Sequence, residues 1–126
     1  MEARSTRHSK YNINYHLVWI PKYRHPILVG EVADHLKDIL HVIAEKKGVE
    51  IQELEIMQDH IHLFISSPPQ HAPSLLINWF KGISARMYNY WYGEPHIKWT
   101  NSYYVGTAGT VTAETIRKYI EEQRSK

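Results

Sequence analysis

The chain has 126 residues, a net charge of +2 and 43% hydrophobic residues, which suits one compact domain with a single core. It contains no cysteine, so disulfides, thiolate-bound zinc and cysteine nucleophiles are excluded. The polar, basic start and the lack of a long apolar stretch predict a cytoplasmic protein in which residues 1–126 form one domain. The small positive charge permits a nucleic-acid partner without requiring one.

The first half of the chain predicts a strand, a helix and a hairpin. Residues 13–20 are β-branched and aromatic, which is typical of a strand. Apolar residues recur at helical spacing over residues 31–47 and predict a helix. Two further strands are predicted over 49–58 and 60–66, about one residue apart, which indicates an antiparallel hairpin that turns near Asp59.

The second half predicts a helix, a strand and a last helix. After two consecutive prolines, apolar residues follow helical spacing at Leu76, Trp79, Phe80, Ile83, Met87 and Tyr90. Residues 97–105 are aromatic and predict a fourth strand. Residues 106–111 contain two glycines and are expected to form a flexible link before Thr112, which is suited to cap a helix. Residues 1–10 are also expected to be flexible.

The predicted order of elements is β-α-β-β-α-β-α. This order is the split βαβ, or ferredoxin-like, arrangement with one extra helix at the C-terminus. We therefore expect an α+β fold with an antiparallel sheet, helices on one face of it, and a separate C-terminal helix.

Two histidines at alternate positions of the third predicted strand, His60 and His62, point to the same face of the sheet. The apolar residues between and after them point to the other face, where helices would cover them. Neighbouring imidazoles on an open face can bind a divalent cation, although two ordinary surface histidines have the same spacing. Strand parity places His16 on this face too, as a substitute ligand, a DNA contact or a hydrogen-bonded buried histidine.

The last predicted helix is short and must dock on the rest of the protein to be stable. Ile116 and Ile120 form its apolar stripe, and Tyr119 and Gln123, four residues apart, lie beside that stripe. Docking through the isoleucines would press Tyr119 and Gln123 against the body of the protein. Simple packing of Tyr119 is the alternative to a chemical role.

Several segments together resemble one known family. Residues 58–65 (QDHIHLFI) resemble the His-hydrophobic-His motif of the HUH endonuclease superfamily, in particular the single-tyrosine transposases of the insertion-sequence-200/605 class. Residues 15–24 (YHLVWIPKYR), 99–106 (WTNSYYVG) and 115–123 (TIRKYIEEQ) are similar to the same family. The resemblance covers nearly the whole chain.

The resemblance implies a complete set of site residues and a reaction. It makes His60 and His62 metal ligands, Gln123 the third ligand and Tyr119 the nucleophile. Ligand types alone admit zinc, manganese or magnesium, and the resemblance favours Mg²⁺ or Mn²⁺. It further implies a DNA transposase that excises and integrates an insertion sequence as single-stranded DNA, recognises hairpins at the element ends, and works through a 5′-phosphotyrosine intermediate.

The resemblance also implies an assembly and a set of partners. Two ends must be cut and each chain has one nucleophile, so we expect a homodimer whose active sites are shared between subunits. No Walker loop is present, so no nucleotide cofactor is expected. Candidates for phosphate contacts are the basic residues Lys22, Arg24, Lys81, Arg86, Arg117 and Lys118. Candidates for stacking on bases, with core packing as the alternative, are Trp79, Tyr90, Trp91 and Trp99.

Two other functions remain open from the sequence. A replication initiator or relaxase uses the same histidine pair and tyrosine, but usually in a longer chain. A non-catalytic ferredoxin-like module that binds single-stranded nucleic acid is the alternative without chemistry, although its aromatic-glycine signature is absent here.

Overall fold

The computed structural model of the chain describes residues 4–5, 10–11, 13–107 and 112–123. We expected residues 1–10 and 106–111 to be flexible, and most of them lie outside the described residues. Within the first range, residues 4–5 and 10–11 pair as a short antiparallel ladder. Within the second, Gly106 pairs with His16 and so belongs to the sheet and not to a link.

The centre of the fold is a four-stranded antiparallel sheet. Its strands are β1 (Ile13–Trp19), β2 (Glu50–Met57), β3 (His60–Ser67) and β4 (Tyr104–Thr107), and they lie in the order β2-β3-β1-β4. Helix α1 (Glu31–Lys47) joins β1 to β2, helix α2 (Pro73–Trp91) joins β3 to β4, and helix α3 (Ala113–Glu122) follows β4. The predicted α+β, ferredoxin-like fold is confirmed.

Local sequence explains the ends of the helices. Helix α1 ends at Gly48, which adopts the left-handed conformation (φ 68°) and donates its N–H to the carbonyls of Ala44 and Glu45. Helix α2 begins with Pro73, whose missing N–H is not needed in a first turn. Helix α3 begins with a capping box formed by Thr112 and Thr115.

The hydrophobic core lies between one face of the sheet and helices α1 and α2. Alternation along the strands buries Leu17 and Trp19 of β1 and Ile61, Leu63 and Ile65 of β3 completely. Full burial of one such side chain stabilises the fold by about 1.5–3 kcal/mol. The alternate residues, His16 and Val18 of β1 and His60, His62 and Phe64 of β3, face the other side of the sheet, where the candidate site lies.

The fourth strand is shorter than the sequence predicted. We expected it over residues 97–105, but it runs only over Tyr104–Thr107. The preceding backbone is instead bonded to side chains of α2: Asn89 pairs with the N–H and the carbonyl of Ile97. The ammonium of Lys81 donates to the carbonyls of Thr100, Asn101 and Ser102. The backbone of this segment also runs beside the residues that follow β1, where Pro21 and Trp99 form an isolated bridge and Thr100 donates its N–H to the carbonyl of Ile20.

Within the described residues, no helix combines the length and the apolar character that crossing a membrane requires.

Candidate active site

A cleft of about 550 Å³ lies between the open face of the sheet and α3. The sheet contributes His16, Glu55, His60 and His62, and the loops contribute Arg24 and Asp59. Helix α3 and its cap contribute the opposite wall, formed by Thr112, Ala113, Ile116, Arg117, Ile120 and Glu121. The two histidines predicted to share a face therefore line one cavity, as strand alternation requires.

His60 is oriented by the residue before it. Its Nδ1 donates to Oδ1 of Asp59 at 3.0 Å, and only about a fifth of each side chain is exposed, at 19% and 22%. Because Nδ1 donates to Asp59, Nε2 is the ring nitrogen that remains for a metal ion. This is the tautomer that a metal-binding histidine with a carboxylate partner adopts.

His62 is paired with His16 across neighbouring strands. Nδ1 of His16 lies 2.8 Å from Nε2 of His62, and the two rings are stacked with centroids 5.0 Å apart. His16 is also stacked on Phe64, at 4.3 Å. Burial lowers the pKa of both histidines below the usual value, and the proximity of His62 lowers the pKa of His16 further. Both imidazoles are therefore neutral near pH 7, the form that binds metals.

Helix α3 docks on the open face of the sheet of its own chain. Ile120 is buried against Val18 and Ile20, and Ile116 packs on the same cluster. This is the docking by the two isoleucines that the sequence predicted. The helix has ten residues and a single buried side chain within Ala113–Glu122, so its position depends on few contacts.

Tyr119 and Gln123 meet at Ser102. The phenol oxygen of Tyr119 lies 3.0 Å from Oγ of Ser102, and that hydroxyl donates to Oε1 of Gln123 at 2.8 Å. Gln123 is 7% exposed, and the ring of Tyr119 lies 6.1 Å from that of Tyr104. Burial raises the pKa of Tyr119, and the bond with Ser102 opposes this to a smaller extent. The phenol is therefore protonated at neutral pH.

The residues named from the sequence fall into two groups in this structure. His60 and His62 line the cleft, whereas Tyr119 and Gln123 lie together at Ser102. The sequence did not single out Ser102, because only the docked position of α3 brings it to these side chains. It gave no role to Asp59 either, although a carboxylate directly before a histidine of the motif was a usable signal.

Three of the predicted phosphate contacts are engaged with the protein itself. Arg24 pairs with Asp59, and Arg117 pairs with glutamates of its own helix. Lys81 binds three carbonyls, and burial lowers its pKa. For these three residues, as for Lys22, Arg86 and Lys118, contact with DNA stays a prediction.

The aromatic candidates differ in exposure. Trp99 is 8% exposed and donates its indole N–H to the carbonyl of Lys81, so it belongs to the core. Trp79 packs beside Lys47, whose ammonium lies 4.5 Å from a ring centroid. Tyr90 and Trp91 are 85% and 57% exposed near Arg86, at the end of α2. These two rings are accessible for stacking.

Known proteins match the chain over almost its full length. The profile of the family described as "Transposase IS200 like" matches residues 9–123. The ISDra2 transposase TnpA of Deinococcus radiodurans is 42% identical over 134 aligned residues, which cover 100% of this chain and 94% of the relative. The transposase for insertion sequence element IS200 of Salmonella typhimurium is 35% identical over 128 residues, covering 97% and 84%.

Solved structures agree with these relatives. One described as a transposase from Deinococcus radiodurans R1 has a TM-score of 0.87 and 39% identity, covering 98% of this chain and 99% of the other. A REP-associated tyrosine transposase bound to a REP hairpin shares the fold, with a TM-score of 0.58 and 14% identity, over 96% and 69% of the two chains. Fold and relatives together define a transposase of insertion sequences. The chain belongs to the IS200-like transposase family.

Proposed function

We propose that this protein excises and integrates an insertion sequence as single-stranded DNA through a covalent bond to Tyr119. One observation carries the proposal: two imidazoles, those of His60 and His62, line a cleft whose other wall is the helix that bears Tyr119. A phosphate bound in this cleft would lie between candidate metal ligands and the element that carries the nucleophile.

The donor atoms suit a divalent cation. His60 offers Nε2 in the correct tautomer, because Asp59 holds its Nδ1. His62 offers Nε2 once His16 releases it, and Gln123 offers an amide oxygen once Ser102 releases it. Held by these residues, Mg²⁺ or Mn²⁺ would polarise the scissile phosphate and stabilise its developing negative charge.

The protein residues would carry out the covalent chemistry. The Tyr119 oxygen attacks the phosphorus, the bond from phosphorus to the 3′ oxygen breaks, and a 5′-phosphotyrosine forms. The phenol loses its proton and the departing 3′ oxygen takes one up. The new phosphodiester keeps the energy of the old one, so a later 3′-hydroxyl can reverse the step without a nucleotide cofactor.

Tyr119 must leave Ser102 before it can reach a phosphate at the histidine pair. A helix docked by two isoleucines can make such a move at modest cost. The receiving histidines belong either to the same chain or to a second copy. We favour a homodimer with shared sites, because two DNA ends require two nucleophiles and each chain offers one.

The expected DNA partner is a single strand that folds into hairpins at the element ends. The related structure bound to a REP hairpin supports this expectation. On this chain, the exposed Lys118 and the exposed rings of Tyr90 and Trp91 offer charge and stacking surfaces.

The test is the formation of a covalent complex. Wild-type protein is incubated with labelled single strands from the DNA that flanks its gene, with Mn²⁺ or with EDTA, and run on denaturing gels. We expect an adduct with Mn²⁺ only, and none with Tyr119→Phe, because this change removes the attacking oxygen. Tyr104→Phe, a matched change at the neighbouring ring, should still form it.

Other outcomes would lead to other functions. An adduct with Tyr119→Phe would make a different tyrosine, such as Tyr103 or Tyr104, the nucleophile. Hairpin binding by the wild type with no adduct under any condition would favour the non-catalytic binding module.

A further inference from the structure

One guanidinium connects α3 to the turn between β2 and β3. Nε of Arg24 lies 3.2 Å from Oδ2 of Asp59, and Nη1 donates to the carbonyl of Ile120 at 3.2 Å. The side chains of Arg24 and Asp59 are only 25% and 22% exposed. The carbonyl of Ile120 belongs to the last turn of α3, where the helix dipole favours a cation.

The backbone at Arg24 is adapted to this contact. Tyr23 and Arg24 both lie in the left-handed region, with φ of 59° and 53°, which is unfavourable for residues with side chains. Such a conformation persists where surrounding contacts enforce it, and it is concentrated at functional positions. Here Arg24 donates its backbone N–H to Pro21, and the neighbouring Lys22 donates to Lys98. Within this turn, Arg24 lines the cleft.

The carboxylate of Asp59 contacts both Arg24 and His60. Its Oδ2 forms the ion pair with Arg24, and its Oδ1 accepts from Nδ1 of His60 at 3.0 Å. Two hydrogen bonds and one ion pair therefore connect the carbonyl of Ile120 through Arg24 and Asp59 to His60.

We propose that Arg24 is a positioning residue that couples the docking of α3 to the orientation of His60. The proposal rests on the proposed function, in which Nε2 of His60 binds the metal. With α3 docked, Arg24 is held at two points and fixes the carboxylate of Asp59, which in turn fixes the imidazole. The coupling is reciprocal, so a metal bound at His60 also favours the docked helix.

Three substitutions separate this role from a simple charge at the cleft. Arg24→Lys keeps the positive charge and leaves a residue with a side chain at the same positive φ. An ammonium lacks the planar guanidinium that contacts both Asp59 and the carbonyl of Ile120. Asp59→Asn keeps one oxygen acceptor and replaces the other with a donor, so it cannot serve both Arg24 and His60. Arg117→Lys is the matched control, because Arg117 also lines the cleft but pairs with Glu114 and Glu121 in its own helix.

The first readout uses the full chain in EDTA. Hydrogen exchange of the α3 amides should be about three- to ten-fold faster in Arg24→Lys and in Asp59→Asn, and the double variant should be no faster than either. Amides of β1 and β3, and α3 in Arg117→Lys, should match the wild type. Unchanged α3 exchange in Arg24→Lys would overturn the proposal.

The second readout is Mn²⁺ binding by calorimetric titration. Arg24→Lys should bind Mn²⁺ about three- to ten-fold more weakly, and Mn²⁺ should slow α3 exchange in the wild type but not in this variant. Equal affinity of the wild type and Arg24→Lys, with binding lost in His60→Ala, would overturn the coupling alone. A wild type that binds no Mn²⁺ would overturn the proposed function and the coupling with it, and the wild-type titration distinguishes the two failures.

Discussion

Ser102 holds two side chains that the proposed chemistry needs elsewhere. Its hydroxyl bonds both the phenol of Tyr119 and the amide oxygen of Gln123, in a place where Gln123 is almost fully buried. A buried acceptor without a partner is costly, so this single hydroxyl contributes to the docked position of α3.

Replacing Ser102 should therefore destabilise the protein. We expect Ser102→Ala to lower the free energy of unfolding by about 1–2 kcal/mol, measured by urea denaturation in EDTA, because it leaves Oε1 of Gln123 unpaired. Tyr119→Phe is the matched control and should cost less, since the bond between Ser102 and Gln123 survives. A Ser102→Ala protein as stable as the wild type would contradict this account of the contact.

His16 occupies the nitrogen of His62 that the proposed metal site needs. The hydrogen bond of 2.8 Å between them has to break before Nε2 of His62 can bind a cation. A hydrogen bond of this kind contributes about 1 kcal/mol. His16→Phe removes this competition and keeps an aromatic ring on Phe64.

We expect His16→Phe to raise the affinity for Mn²⁺ about five-fold, measured by calorimetric titration at pH 7.5. His71→Phe, at an edge-on contact with Trp79 outside the cleft, should leave the affinity unchanged. A fall in affinity in His16→Phe would instead identify His16 as a ligand, as its place on the open face also allows.

The sequence correctly predicted those helices and strands whose positions depend on a local pattern of residues. Helix α1 occupies the predicted residues 31–47, and alternation in β3 placed His60 and His62 on one face. The fourth strand was misplaced, because the β-prone segment before Tyr104 forms only an isolated bridge, from Trp99 to Pro21, and is also bonded to Lys81 and Asn89 of α2. Those bonds join residues distant in the chain, and no local pattern indicates them.

The same limit applies to the candidate site. Strand parity correctly placed His16 on the open face, but its bond to His62 depends on the register of β1 against β3. The contacts of Ser102 with Tyr119 and Gln123, and the bond from Arg24 to Ile120, arise only when α3 docks. Sequence reasoning found the residue types for the chemistry but not the contacts that hold them at rest.

The proposed homodimer predicts how much activity a mixture of two inactive variants should recover. If each site combines histidines of one chain with the tyrosine of another, His60→Ala and Tyr119→Phe chains should complement each other. After the two inactive proteins are mixed and re-equilibrated, about a quarter of the sites should be competent, since half the dimers are mixed and each has one complete site. Adduct yield on denaturing gels measures this fraction. If every site is built within one chain, the mixture should stay inactive.

The resting position of helix α3 would limit the rate of the proposed reaction. Tyr119 rests on Ser102 and is not among the residues that line the cleft, so only molecules in which α3 has shifted would bring its phenol to a phosphate at His60 and His62. The rate of the proposed reaction would then scale with the population of molecules in which the helix has shifted. Substitutions that loosen the helix without disturbing the contacts of His60 would accelerate the first cut while lowering thermal stability, and those that tighten the helix would do the reverse. The speed of the proposed first cut and the resistance to unfolding would thus depend in opposite ways on how firmly one short helix is docked.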